Sequence, residues 1–162
     1  MFAIALLAIG SFPSLRIVEG VAVGWGLFRT FEVLIYQINV FLFDQYRTEK
    51  ADKPYVVRGY RRIVILLLQN YIEIVFWFGL FYHYWSWAFK TTESSLNSFA
   101  ATLHFSIITI TGLGSSSISP TQTWGYVLTS IQMVIGLFMV LGILARFIAL
   151  LPKPETMDDS EK

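Results

Sequence analysis

The chain has 162 residues, of which 55% are hydrophobic and 17% aromatic, whereas only 14% are charged. Soluble domains carry about a quarter charged residues, so this composition indicates a membrane protein and excludes an ordinary soluble domain. The formal net charge of +1 offers no general basic field for nucleic acid, and the absence of cysteine excludes disulfide bonds, thiolate metal sites and a cysteine nucleophile.

Residues 1–43 contain two apolar segments. The first, MFAIALLAIGSFPS, has the length of a signal peptide but no Lys or Arg before Arg16, so we interpret it as part of a membrane hairpin. The second runs from Ile17 to Phe43 and carries three charged residues, two of which, Arg29 and Glu32, are three positions apart and can pair on one helix face. We predict one or two N-terminal helices here, the second either spanning the membrane or lying along its surface.

The segment 44–62, DQYRTEKADKPYVVRGYRR, is the most basic part of the chain, with six Lys or Arg residues, whereas residues 90–123 hold one Lys and one Glu. Because cytoplasmic segments carry an excess of Lys and Arg, 44–62 is predicted to be a cytoplasmic linker and 90–123 to lie outside. The protein is then a multi-pass protein of the plasma (cell inner) membrane. Its polar C-terminal tail, residues 152–162, is predicted to be cytoplasmic and solvated.

Two segments are long and apolar enough to span a bilayer. Ile63 to Phe89 has 27 residues with Glu73 as its only formal charge, and Trp124 to Ala145 has 22 residues with none. At about 1.5 Å per residue both cross a hydrocarbon core of about 30 Å, the first running outward and the second inward. An ionisable residue inside a span is a functional candidate, but we favour a structural role for Glu73, packed against Arg29 or another N-terminal helix.

Between the spans lies a shorter apolar segment, LNSFAATLHFSII, from Leu96 to Ile108, with Ser94 or Ser95 able to cap its start. A helix of this length measures about 20 Å, too short to cross a bilayer, so we predict a re-entrant half-helix. The loop that follows, TITGLGSSSISP, is rich in small and hydroxyl-bearing residues. Irregular backbone at membrane depth is tolerated only inside protein or beside water, so this loop is expected to face water or an ion.

The order of helix, half-helix, Thr/Gly loop and second helix resembles the pore module of the potassium channel superfamily over residues 60–150. The segment HFSIITITGLGSSSISP is similar to that family's pore signature, Y-F-S-x-x-T-x-T-T-V-G-Y-G-D-x-x-P. Laid on residues 104–120 without a gap, the pattern matches at Phe105, Ser106, Thr109, Thr111, Gly114 and Pro120.

The resemblance implies an all-α membrane protein in which residues 63–151 form a two-transmembrane-helix pore module with a re-entrant pore helix and a filter loop. One or two extra helices precede this module, and four identical chains in a homotetramer surround one pore. The resemblance places Thr109 at the end of the pore helix. The filter positions that it implies are Thr111, Gly112, Leu113, Gly114, Ser115, Ser116 and Ser117.

Several of these positions depart from the family pattern. Gly112 replaces the threonine whose hydroxyl helps to form the innermost ion site, and Ser115 replaces the tyrosine that supports the filter from behind. Ser116 replaces a glycine, although a left-handed conformation costs a residue with a Cβ about 1–2 kcal/mol. Ser117 removes the negative charge at the mouth. We therefore expect a wide, weakly selective filter, which still favours cations because the half-helix directs its partly negative carboxyl end at the loop.

Two functional hypotheses follow from these residues. The first is a potassium-channel-like cation channel that conducts K⁺ and Na⁺ passively across the lipid bilayer, with no cofactor, no metal other than the permeant cations and no nucleic-acid partner. The second is a non-conducting membrane protein derived from a channel, with a structural or regulatory role.

Other readings of the sequence are less favoured. GLGSSS has no Lys after it, which argues against a phosphate loop, and a serine nucleophile would need an acid beside His104 that the pore region lacks, so no enzymatic activity is predicted. His83 and His104 could contribute to a metal site only with a third ligand, and the sequence offers none for them. Gly136 and Gly142 in the inner helix let helices approach closely, and Gly136 is also a candidate hinge for an inner gate.

Overall fold

The computed structural model describes residues 16–43, 60–91, 98–113 and 117–150. Several sequence predictions lie outside these residues: the first apolar segment, nearly all of the basic linker, the caps at Ser94 and Ser95, the loop residues Gly114, Ser115 and Ser116, and the polar tail at 152–162.

The described chain is mostly helical, with one short pair of strands that the sequence did not predict. In chain order the elements are α1 (Arg16–Ile38) with a π-helical turn (Asn39–Phe43), α2 (Tyr60–Tyr84), a 3₁₀ turn (Ser86–Ala88), β1 (Phe89–Thr91), α3 (Phe99–Thr111), β2 (Ile118–Pro120) and α4 (Thr123–Leu150). The strands are antiparallel, with Phe89 opposite Pro120 and Thr91 opposite Ile118.

Two helices are long and apolar enough to cross a membrane, within α2 over Val64–Tyr84 and within α4 over Thr123–Ala145. Both spans were predicted, but the first ends five residues earlier than expected, at Tyr84 rather than Phe89. The chain turns there because the backbone of Phe89 pairs with Pro120, so the aromatic segment after Tyr84 forms the 3₁₀ turn and β1 instead of a last helical turn.

Helix α1 lies antiparallel along α2. Besides Ala22, its buried residues recur at spacings of three and four, the repeat of a helix that packs one stripe against a neighbour: Val23, Gly26, Thr30, Val33 and Gln37. Near the carboxyl end of α2, a Cβ on Gly20 would lie 3.6 Å from the hydroxyl of Tyr84. The opposite face of α1 exposes large apolar side chains, among them Trp25, Phe28 and Phe31.

Helix α3 is the short apolar helix that the sequence predicted between the two spans. It covers Phe99–Thr111 instead of Leu96–Ile108, so each end lies three residues later than predicted. With 13 residues it is about 20 Å long, and it packs chiefly against α2 and then against α4. Its side of the core is aromatic: the ring of Phe105 lies 4.7 Å from that of Tyr82 and 5.7 Å from that of Phe89. These edge-to-face contacts join α3 to α2 and to β1.

Candidate functional site

The carboxyl end of α3 is closed by a glycine in the left-handed region. Gly112 has φ 66° and ψ 15°, and its N–H donates to the carbonyl oxygen of Ile108 at 3.0 Å. This is the helix-ending arrangement that glycine adopts without a Cβ penalty. The chain therefore leaves α3 at Gly112 and enters the loop of residues 112–117, which we call the α3–β2 loop.

Two threonine hydroxyls near this end donate to helix carbonyls. Thr109 Oγ1 donates to the carbonyl of Phe105 at 2.8 Å, and Thr111 Oγ1 donates to that of Ile107 at 2.7 Å. Thr109 is buried, whereas Thr111 is exposed. Because the single hydroxyl proton of Thr111 is used within the helix, its remaining lone pairs face outward as acceptors, which suits a cation and not an anion.

The predicted filter residues that are described lie on both sides of the undescribed part of the loop. Leu113 follows Gly112 with 85% of its surface exposed, and Ser117, also exposed, precedes β2. The structure thus brings Thr111, Gly112 and Leu113 together at the end of α3 and places Ser117 immediately before β2.

The segment that joins β2 to α4 is anchored to the 3₁₀ turn that follows α2. The N–H of Thr121 donates to the carbonyl of Ala88 at 2.9 Å, and the N–H of Gln122 donates to the same oxygen at 3.3 Å. A Cβ on Gly125 would lie only 2.7 Å from that oxygen, so the first turn of α4 can approach it only with glycine at this position. One end of the α3–β2 loop is therefore held by α3, and the other end leads through β2 into the contacts with the 3₁₀ turn.

A cavity of about 330 Å³ lies between the end of α3, β2 and the first turns of α4. Its walls include Ile108, Gly112, Ile118 and Ser130. Residues 98–113 and 117–122 contain no Asp, Glu, Lys or Arg. The free carbonyls at the end of α3 contribute about half a negative charge at this place.

Three helices meet in a buried hydrogen-bond network behind the loop. The hydroxyl of Tyr82 donates to Gln132 Oε1 at 2.6 Å, and Gln132 Nε2 donates to Ser106 Oγ at 2.7 Å and to the Ser106 carbonyl at 3.1 Å. Ser106 Oγ donates onward to the carbonyl of Val75 at 2.8 Å. The sequence patterns did not single out Gln132, although a polar side chain inside an uncharged span was the signal that could have identified it.

Helix α4 also approaches other elements closely at Gly136 and Gly142, as it does at Gly125. A Cβ on Gly136 would overlap the carbonyl oxygen of Ile110, and a Cβ on Gly142 would overlap the ring of Phe41. Both glycines therefore allow close approach, which was the favoured interpretation of each. Helix α4 is continuous through Gly136, and a hinge at this residue stays a prediction.

An ion pair joins α1 to α2. Arg29 Nε lies 2.8 Å from Glu73 Oε1, and Arg29 Nη1 lies 2.8 Å from Glu32 Oε2. The indole N–H of Trp77 also donates to Glu73 Oε1 at 3.4 Å. The predicted pairing of Arg29 with Glu32 and the predicted packing of Glu73 against Arg29 are both confirmed.

The two histidines lie on different helices. His104 is exposed on α3, and His83 is partly buried near the end of α2. Among the residues that the structure describes, no group of three His, Cys, Asp or Glu side chains is arranged to hold a metal ion.

Gly112→Ala is expected to lower the free energy of unfolding by about 1 kcal/mol, because the Cβ must adopt a left-handed conformation. Gly112→Asn should lose less, since asparagine tolerates this region better than alanine. Denaturation of the purified protein by SDS in mixed micelles, followed by circular dichroism, measures both. Equal losses for the two variants would show that the left-handed conformation is not what limits position 112.

A comparison with protein-family models gives one match, to a family described as "Ion channel", over residues 70–153, slightly more than half of the chain. No curated protein and no solved structure matches the chain.

Proposed function

Since the chain belongs to this ion channel family and carries the pore module of the potassium channel superfamily, we propose that it conducts monovalent cations passively as a homotetramer. The module provides two membrane-capable helices, α2 and α4, with the short helix α3 packed between them. One chain cannot encircle an ion, so the pathway needs several copies around an axis. Exposed apolar residues on α4, such as Val134 and Leu137, offer surface for neighbouring copies and for lipid.

The observation that carries the proposal is the end of α3. Thr111 presents hydroxyl lone pairs next to the partly negative helix terminus, and Gly112 follows without a side chain. A ring of such termini attracts cations and repels anions, and hydroxyl oxygens coordinate a partly hydrated cation.

Weak discrimination between K⁺ and Na⁺ is the second part of the proposal. Gly112 lacks the threonine hydroxyl of the family pattern, and its left-handed conformation disfavours a threonine there. The serines at 115 and 116 replace the tyrosine and the glycine that the family pattern has at these positions. Fewer fixed oxygens mean a less selective site, because selectivity depends on the number and field strength of the coordinating groups.

The cell membrane is the proposed location. In this arrangement α1 is a third span, because it lies along α2 and exposes a large apolar face. The basic linker and the C-terminal tail then face the cytoplasm and the α3–β2 loop faces outside, as the distribution of Lys and Arg favours.

One observation favours the alternative, a non-conducting protein with a structural or regulatory role. Leu113 is 85% exposed beside the α3–β2 loop, and four leucine side chains that meet on an axis would form an apolar barrier to ions. A test of function must therefore include a variant at this position.

Ion flux through the purified protein in liposomes tests the proposal, with K⁺, Na⁺ and N-methyl-D-glucamine compared in turn. We expect K⁺ and Na⁺ to pass at similar rates, because the site has few fixed oxygens, and the organic cation to pass more slowly. A restored variant, Leu113→Val, Ser115→Tyr, Ser116→Gly and Ser117→Asp, should prefer K⁺. A second restored variant adds Gly112→Thr. Threonine is strained in the left-handed conformation at position 112, so this variant should yield less folded protein.

Leu113→Ala is the matched control for closure by leucine. If the native chain passes nothing but Leu113→Ala or the restored variant conducts, the non-conducting alternative replaces the proposal. If folded native and variant proteins all pass no ion, the channel function is refuted.

A further inference from the structure

The buried network of Tyr82, Gln132 and Ser106 joins all three helices of the pore module. Gln132 and Ser106 are completely buried and Tyr82 is 1% exposed. The hydrogen bonds of this network cross from one helix to another. An interior position in a membrane span is otherwise filled by apolar side chains, so a glutamine with a donor and an acceptor that are both bonded across helices points to a specific geometric role.

The network lies directly behind the carboxyl end of α3. Ser106 contacts Gln132, and one turn later Ile110 contacts Gly136, so the last two turns of α3 lie along two successive turns of α4. Thr111 and Gly112 come immediately after this contact. Any displacement of α3 against α4 therefore moves Thr111 and Gly112 by a similar distance.

The two kinds of contact constrain α3 differently. The contact of Ile110 with Gly136 limits only how closely the helices approach. The two hydrogen bonds from Gln132 Nε2 to Ser106 are directional, and they fix the sliding and rotation of α3. Tyr82 holds the amide of Gln132 in the orientation that directs its nitrogen at Ser106.

We propose that Gln132 is a positioning residue for ion selectivity: through Ser106 it sets where α3 presents Thr111 and Gly112 to the pore. The inference rests on the proposed function, and it names the side chain that sets the size of the ion site without touching an ion. Loss of these hydrogen bonds lets α3 slide, and the balance between K⁺ and Na⁺ changes.

The test compares one variant that removes both hydrogen bonds from Gln132 to Ser106, and one that removes the bond to the Ser106 hydroxyl, with a control that leaves both in place. Gln132→Met keeps the size of the side chain but removes its donor and acceptor, and Ser106→Ala removes the hydroxyl from the other end. Thr102→Val is the matched control, because Thr102 is equally buried on α3 but donates only within its helix, to the carbonyl of Phe99. If Gln132→Met does not fold, Ser106→Ala carries the test.

We expect Gln132→Met and Ser106→Ala to change the ratio of K⁺ to Na⁺ flux in liposomes by roughly threefold or more. Thr102→Val should keep the native ratio. Hydrogen exchange of the peptides over residues 107–117 provides a readout that needs no conduction, and exchange should be faster in the first two variants only.

The outcomes distinguish a failure of the positioning role of Gln132 from a failure of channel function. If the folded variants keep both the native flux ratio and native exchange, or if Thr102→Val changes them equally, the positioning role is overturned while channel function stands. If the native protein conducts nothing, channel function fails, and hydrogen exchange still decides whether Gln132 positions the end of α3.

Discussion

Replacing Arg29 with leucine is expected to lower the free energy of unfolding by about 3 kcal/mol, because it leaves the carboxylate of Glu73 without its partner inside a membrane span. Glu73 lies near the middle of the span Val64–Tyr84, where hydrocarbon surrounds the protein. Within the described part of the chain, its carboxylate is hydrogen-bonded to Arg29 and to the indole N–H of Trp77. Denaturation by SDS in mixed micelles, followed by tryptophan fluorescence, gives the change.

Two further variants identify the cause. Glu32→Gln should cost less than about 1 kcal/mol, because Glu32 is the more exposed partner of Arg29 and its loss leaves the pair with Glu73 intact. The double variant Arg29→Leu with Glu73→Leu should recover most of the loss, since an apolar pair of helices no longer contains an unpaired charge. If the double variant is as unstable as Arg29→Leu alone, the unpaired carboxylate is not the source of the instability.

The sequence alone was sufficient to predict the features of the chain that follow from the requirements of a lipid bilayer. A charge inside an apolar span requires a partner, and for this reason the sequence predicted the pair of Arg29 with Glu32 and offered Arg29 as one of two alternatives for packing against Glu73. Length and apolar composition likewise identified both spans and the half-helix between them.

Other features depend on contacts between distant segments and leave little local signal. The strand Phe89–Thr91 exists because it pairs with Ile118–Pro120, whereas its own residues fit a helical continuation equally well, so the sequence placed the end of α2 five residues too late. Gln132 has partners that lie 26 and 50 residues away, and no spacing rule connects them. The match of Ser106 to the pore signature gave no indication that its hydroxyl faces α2.

Gly112 shows what a family pattern can predict about a residue and what it cannot. Alignment to the pattern identified it as a lost threonine, with one oxygen fewer at the innermost ion site. The structure adds a left-handed conformation, which ends α3 and makes glycine the favoured residue there. The substitution therefore changes the backbone as well as the set of ligands, which a pattern of side chains cannot show.

Gly136→Ala is expected to lower the free energy of unfolding by about 2 kcal/mol, because its Cβ overlaps the backbone carbonyl of Ile110 and α3 must move away. A glycine that served only as a hinge would behave in the opposite way, since alanine in a helix is favoured over glycine by about 1 kcal/mol. The sign of the change therefore separates packing from bending. Gly24→Ala is the matched control: a Cβ there meets nothing within 4 Å, and the variant should be neutral or slightly more stable.

Trimming the partner side chain tests which atoms collide. Ile110→Ala removes the Cγ1 contact but leaves the carbonyl oxygen in place, so adding it to Gly136→Ala should not restore stability. The displaced α3 should also carry Thr111 and Gly112 out of position and reduce ion flux in liposomes. If Gly136→Ala is more stable than the native protein and still alters flux, bending at Gly136 and not its packing against α3 is the property that glycine provides.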